Sequence, residues 1–376
     1  MESRTLKWLL SGAVMLLIWT FGSSVDMQLF TTVKAEARPA SGLYQLESEI
    51  AAAMRSRSEQ LRIDYAGDAA ELTAGIKTTV RQALTHDEYI AYIVDSYFYS
   101  IRTWNGVSRI KLSLRYRETP AQTAEVDRQV ASVIGTLIEP GMNDHQKVKA
   151  IHDWIVLRLA YDGALSGYTA FESLQTGTAV CQGYALLAYK MLTAAGIPAR
   201  IAEGKVASGD HAWNLVLLEG KWFHLDTTWD DPVPDVQGRV RYDYYLKTDA
   251  ELRRDHSWTR TYPAATTDYA GVVSAAALND PGKAAFYTGL ERELGFVWLK
   301  PEHTSASADD LRDKLQAAVL SGQTTLKVRY VDGDRAKADL QEALAGMGEF
   351  GFTSYKAAFS PFGADGAVLL DVTLQK

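Results

Sequence analysis

Cys181 is the single cysteine in a chain of 376 residues, so no internal disulfide can staple the fold and a hydrophobic core must hold it. The material for a core is present, since 47% of the residues are hydrophobic and a chain of this length divides into two or three domains of ordinary size. That composition excludes intrinsic disorder. A solitary thiol is also chemically informative. It is either a small buried hydrophobe, the commoner case for a bare position, or a reactive group.

The formal charge of −7 offers nucleic acid no electrostatic attraction, and the scattered Lys and Arg give no polybasic grip on anionic lipid. Residues 1–35 begin with Arg4 and Lys7 and carry an apolar stretch from Trp8 to Phe21, shorter than the roughly 20 residues of a membrane span. This reads as a signal peptide, with Val33-Lys34-Ala35 as its small-residue cleavage point, or as an uncleaved anchor. Either way the chain is expected to be secreted or held in the cell envelope, touching membrane only through this segment.

Periodicity divides the rest. Residues 36–120 read as a small α+β module, with helices over Leu43–Met54 and Ala69–Leu84 and strands over Gln60–Tyr65 and Arg109–Arg117. The order returns in 309–376, with helices over Asp309–Val319 and Arg335–Ala345 and strands over Thr324–Tyr330 and Ala367–Leu374. Either two related modules flank a central domain, or two βα units look alike at the level of short patterns. Between them lie a central domain, 121–262, and a partly helical connector, 263–308. Helices over Glu125–Ile138 and His145–Leu159 open the central domain, the second capped by Asn143 or Asp144.

The chemistry is expected in that domain. From Cys181, residues Tyr184, Ala185, Ala188, Leu192 and Ala195 follow at helical spacing, and Gly196 and Pro198 end the run. Cys181 is therefore expected at a helix N-terminus, where free N–H groups and the macrodipole favour a thiolate and can hold an oxyanion. Downstream, His211, Trp213, Leu215 and Leu217 alternate, Glu219-Gly220 reads as a two-residue hairpin turn, and Lys221–Asp226 returns. Pairing Leu218 with Lys221 puts His211 and Asp226 on one face as diagonal neighbours about 7 to 8 Å apart. The carboxylate can then fix one imidazole nitrogen and leave the other to take the thiol proton. A one-residue slip would turn Asp226 to the opposite face.

Other residues carry weaker signals. Trp213, Trp229 and Trp222 either wall a cleft or pack the core, His224 lies on the face of the site, and His152 reads as a packed helix residue. Asp230 and Asp231, beside Pro232 and Pro234, read as a turn. One Cys and seven His without paired spacing make no zinc cluster. No metal or cofactor is expected.

These stretches resemble the transglutaminase-like superfamily of papain-type thiol enzymes, in particular bacterial exported members. The resemblance lies in Val180-Cys181-Gln182-Gly183-Tyr184-Ala185, His211-Ala212-Trp213-Asn214 and Trp222-Phe223-His224-Leu225-Asp226-Thr227-Thr228-Trp229-Asp230-Asp231-Pro232. Lys149–Ile155 with Tyr161-Asp162 looks like the family's leading helix, and Tyr244-Tyr245-Leu246 with His256-Ser257-Trp258 like its tail. The resemblance implies an α+β fold with the Cys-bearing helix packed on an antiparallel sheet, and a catalytic Cys181, His211 and Asp226. Gln182, Tyr184, Trp213, His224 and Trp229 are its cleft candidates, and the oxyanion-holding side chain stays open among Gln182, Tyr184 and a Trp. Ala179 departs from the family's Gly, and Thr227 from its Pro.

The expected function is an exported thiol enzyme that forms an acyl-enzyme at Cys181 from a protein or peptide amide, and passes the acyl group to an amine or to water. A non-catalytic envelope module that binds peptide is the alternative reading. A metal-dependent hydrolase is the third.

Overall fold

A computed structural model describes residues 39–236, 238–363 and 365–375. The expected signal or anchor, 1–35, lies outside them. Among the described residues, no helix is long and apolar enough to cross a membrane. The chain divides into two compact units, one ending at Tyr269 and the other running from Ala270. The fold class is mixed α+β, as expected from the sequence.

The first unit begins with α1 (Leu43–Arg55), β1 (Gln60–Tyr65), α2 (Ala69–Leu84), α3 (Glu88–Ile93), β2 (Val94–Trp104) and β3 (Val107–Tyr116). The strands form an antiparallel sheet in the order β1-β3-β2. Leu46, Ile50, Ile63, Tyr65, Leu72, Ile76, Ile110 and Leu112 fill the space between helices and sheet. The sequence reading missed β2, and its burial explains why. Only Tyr97 of its eleven residues is fully buried, so the period-2 alternation that marks a half-buried strand is faint.

The central elements follow: α4 (Pro120–Leu137), α5 (Asp144–Arg158), β4 (Ala160–Tyr161), α6 (Ala170–Thr176), β5 (Thr178–Ala179), α7 (Cys181–Ala194), β6 (Ala199–Val206), β7 (Gly209–Leu218), β8 (Lys221–Leu225) and α8 (Asp249–Leu252). Capping boxes at Thr119, Asn143 and Thr169 start α4, α5 and α6, each satisfying two otherwise orphaned backbone donors. Helix α7 lies on the antiparallel sheet β6-β7-β8, with α4, α5 and α6 around it. Residues 182–188 of α7 are all buried, which is the signature of a central helix rather than a surface one. It ends in a Schellman motif. Gly196 takes φ 80°, Gly196 N–H donates to Thr193 O, and Ile197 N–H to Leu192 O.

Side-chain hydrogen bonds tie the opening module to this core. Glu88 accepts from Arg200 Nε at 2.8 Å and from Ile201 N–H at 3.2 Å, and Gln182 Nε2 donates to Tyr92 O at 2.6 Å.

The second unit holds most of α9 (Tyr269–Asn279), then α10 (Ala284–Glu293), β9 (Thr304–Ser305), α11 (Ala308–Leu320), β10 (Thr325–Tyr330), α12 (Ala336–Ala345), β11 (Ser354–Phe362) and β12 (Ala367–Gln375). The stretch 263–308, expected as a connector, is divided. Its first residues stay with the first unit, and its last strand, β9, adds to β10 in parallel. The antiparallel strands run β11-β12-β10, so the pairing scheme repeats that of the opening module, and the order helix, strand, helix, strand, strand repeats it with the short α3 set aside. β1 and β10 even share one burial pattern, ending on a buried Tyr65 and a buried Tyr330. The sequence reading missed β11 because eight of its nine residues are exposed. It has no buried face to generate a pattern.

Candidate active site

Cys181 is the first residue of α7. Val180 caps the helix without a side-chain bond, so no side chain occupies the N–H groups of the first turn, which have no intrahelical acceptor. Close packing sets this helix start. A Cβ on Gly183 would lie 2.6 Å from Ser173 Oγ and 2.9 Å from Gly167 O, so only glycine lets α7 begin against α6 and the 162–167 turn. Asp162 shapes that turn by accepting from Ala164, Ser166 and Gly167 N–H and from Ser166 Oγ, at 2.7–2.9 Å. The Ser166 bonds lead in holding its carboxyl down at about 2.

The hairpin places the other two groups. Leu218 pairs with Lys221 and Leu215 with His224, and Glu219 and Gly220 take φ 50° and 75°, the left-handed pair of a type I′ turn. Asp226 leaves the ladder, its N–H donating to Tyr244 O at 3.2 Å. Its carboxylate accepts from Thr228 N–H at 3.0 Å and Trp229 N–H at 3.2 Å through Oδ1. Through Oδ2 it accepts from His211 Nε2 at 2.7 Å. A carboxylate can only accept, so Nε2 carries the proton and Nδ1 is the nitrogen left to serve Cys181, which lies near enough to add to the pull on His211.

Cys181 is half-buried, while His211 and Asp226 are buried. Burial by itself would push the His211 imidazole down. The charge and hydrogen bond of Asp226, together with Cys181, outweigh it and hold the imidazole up at about 10. Burial would likewise raise Asp226, but His211 and a second imidazole hold its carboxyl well below the usual range. That second imidazole is His256, whose Nε2 lies 3.2 Å from Asp226 Oδ2. Only its place in the tail stretch drew notice in the sequence. No local spacing ties a residue 30 positions beyond Asp226 to this oxygen.

The five cleft candidates separate. Trp229 is half-buried, with its ring 5.7 Å from that of His211. Tyr184, Trp213 and His224, expected as cleft residues, are core side chains, each at most 1% exposed. Tyr184 donates to Asp231. Trp213 lies nearly parallel to His211, with centroids 6.0 Å apart, and its Nε1 donates to His224 Nδ1 at 2.9 Å. His224 Nε2 in turn donates to Asp249 Oδ1 at 2.8 Å, and burial lowers its pKa. Gln182 points to Tyr92 O. The physical reason is common to all four: each polar tip finds a partner inside the fold.

Two tyrosines outside the five candidates also neighbour the thiol. The parallel pair β4-β5 sets Tyr161 against Ala179, and Tyr161 and Tyr168 both lie near enough to Cys181 to feel its charge.

Asp230 and His152, read as a turn and as packing, form a buried clamp. His152 bonds Asp230 Oδ2 through Nε2 and Asp153 Oδ1 through Nδ1, both at 3.0 Å. Those two carboxylates outweigh burial and raise His152. Asp230 also accepts from Tyr244 N–H at 2.8 Å and donates its own N–H to Asp226 O at 3.2 Å. The clamp therefore ties α5 to the segment that carries Asp226.

Among the described residues, donor atoms of His211, Asp226 and His256 lie within 4.8 Å of one another, close enough to surround a cation. Hydrogen bonds from both imidazoles to one carboxylate oxygen account for that approach.

Residues 131–227 match the transglutaminase-like superfamily, a span that contains Cys181, His211 and Asp226 and stops short of His256. The chain is 31% identical over 122 residues to the human (Homo sapiens) protein named kyphoscoliosis peptidase, covering 28% of this chain and 18% of that one. It is 28% identical over 153 residues to the Mus musculus protein of the same name, covering 35% and 23%. The chain thus spans less than a quarter of either relative's length. Among solved structures, a TGase is similar over 49% of this chain and 55% of its own, at 17% identity and a TM-score of 0.28. A candidate cysteine protease from Cytophaga hutchinsonii is similar over 45% and 78%, at 14% identity and a TM-score of 0.26.

Proposed function

We propose that this protein is a thiol enzyme acting on the amide groups of proteins or peptides, with Cys181 as nucleophile, His211 as base and acid, and Asp226 as the group that orients His211. The observation that carries the reading is the His211 imidazole, which donates to Asp226 Oδ2 at 2.7 Å and lies close enough to Cys181 for the thiol to add to the pull on it. The thiol proton passes to His211, and Cys181 Sγ attacks the amide carbon. The oxyanion faces the N–H groups of the first turn of α7, which no capping side chain occupies. His211 returns the proton to the leaving amine as the C–N bond breaks and a thioester remains. An amine or water then attacks that thioester, His211 takes its proton, and the C–S bond breaks.

The superfamily match and the peptidase name of the two relatives support this reading. Export to the cell envelope belongs to the same proposal and rests on Arg4, Lys7 and the apolar run to Phe21. Sequencing the N-terminus of the protein from its native host tests it, and cytoplasmic protein starting at Met1 refutes it.

The chemistry is tested by the rate of iodoacetamide alkylation at Cys181, and by mass spectrometry of envelope extract incubated with the protein and a labelled primary amine. Alkylation faster than that of a free thiol is expected, with amine incorporation, new termini or amide-to-acid conversion that Cys181→Ala abolishes. An unreactive Cys181 refutes the reading.

A further inference from the structure

We propose that His256 is a positioning residue of this site, a cationic imidazole that shares the acceptor oxygen of Asp226 with His211 and sets the pH range over which Cys181 and His211 form their ion pair. The proposal rests on the thiol chemistry above and deepens it.

The His256 side chain is fully buried and lies between two carboxylates, with Nε2 3.2 Å from Asp226 Oδ2 and Nδ1 2.6 Å from Asp255 Oδ1. Each contact is a hydrogen bond only when that nitrogen carries a proton, so the geometry that satisfies both is the imidazolium. Its ring centroid is 5.2 Å from that of His211.

The surroundings hold it there. Trp229, Trp213 and Tyr244 pack around the ring at 4.5, 5.3 and 5.5 Å, and Tyr244 OH donates to Asp255 Oδ2 at 2.6 Å. The backbone is fixed as well. Lys205 and Ser257 exchange both N–H···O bonds at 2.8 Å, adding this segment to the edge of β6. That approach needs Gly204, the partner of His211 across the sheet, because a Cβ there would lie 2.1 Å from Ser257 O.

The charges facing His256 come from several elements. They are His211 on β7, Asp226 after β8, and Asp255 on its own segment. His224 on β8 also feels His256 and Arg253, but its bond to Asp249 and its burial set it apart from the Asp226 oxygen. A cation on His256 opposes part of the pull of Asp226 on His211 and also favours a negative Cys181. His211 then stays acidic enough to hand its proton to a leaving amine.

Two charges this close at an effective dielectric of about 20 interact by enough to move a titration by one to two pH units, roughly. The test follows the alkylation rate of Cys181 from pH 4 to 11 in the wild type and in His256→Gln, which keeps a donor for Asp226 and removes the charge. Both limbs of the profile are expected to move to higher pH by about one to two units. A role confined to packing changes the height of the profile and leaves its limbs in place, which overturns the proposal. If the variant does not fold, 15N NMR of the histidines in the wild type decides. Protons on both ring nitrogens of His256 at pH 7 sustain the proposal, and a bare nitrogen overturns it. A wild-type Cys181 that shows no activated limb defeats the thiol reading itself, and this proposal with it.

Discussion

Asp226→Asn removes one charge and almost no volume from the centre of the site. The wild-type carboxylate is the strongest influence favouring a protonated His211, lifting it against burial from its ordinary 6.5 to about 10. That distance corresponds to on the order of 5 kcal/mol of preference for the imidazolium. With the charge gone, burial dominates, and the His211 titration followed by 15N or 13C NMR is expected to fall to 6.5 or below. The amide also turns the orientation problem around, since its NH2 can no longer accept from either imidazole where Oδ2 accepts from both. Cys181 should lose its partner cation at neutral pH, slowing its alkylation at pH 7 by at least about tenfold and any acyl-transfer turnover by on the order of 10²-fold. A His211 midpoint still above about 8 in the variant refutes the assignment of the pull to Asp226.

Three further outcomes are expected. Gly183→Ala forces a Cβ to within 2.6 Å of Ser173 Oγ and 2.9 Å of Gly167 O, and should cost about 1–3 kcal/mol in urea denaturation; an unchanged midpoint would mean the helix start relaxes freely. His152→Leu leaves the buried Asp230 carboxylate without its imidazole partner and should cost about 3–5 kcal/mol, with wild-type stability as the opposing result. The raised pKa of His211 contributes stability that is fully present below pH 6.5 and is lost as pH rises through about 10. The depressed pKa of Asp226 contributes stability present above 3.8 and lost as pH falls well below it. Denaturation midpoints should therefore stay high between these limits and drop toward pH 11, and Asp226→Asn should abolish the alkaline drop.

Much of the site's scaffold was legible before any coordinates. The lone cysteine at the head of an apolar helical run and the Glu219-Gly220 turn are both local signals. A two-residue turn with left-handed φ at both positions leaves one register for the strands it joins, and the register decides which side chains share a face. The helices with strong 3.6 periodicity emerged within a residue or two of their ends, apart from α4, which begins five residues earlier at Pro120 behind its Thr119 cap. Strands β2 and β11 did not emerge, because a strand with one buried residue or none writes no alternation into the sequence.

By itself the sequence determined where backbone changes direction and which residues stand at those points: Cys181 at a helix start, His211 on one strand of a hairpin, and Asp226 just past the end of the other. Only the tertiary structure decided what else meets them. His256 reaches Asp226 from 30 positions away, and His152 reaches Asp230 across 78. Tyr184, Trp213 and His224 turn to partners within the core. Periodicity is a property of neighbours along the chain, whereas a buried polar group takes whichever partner packing brings within about 3 Å, because leaving it unpaired in the interior costs more than any local preference can offset.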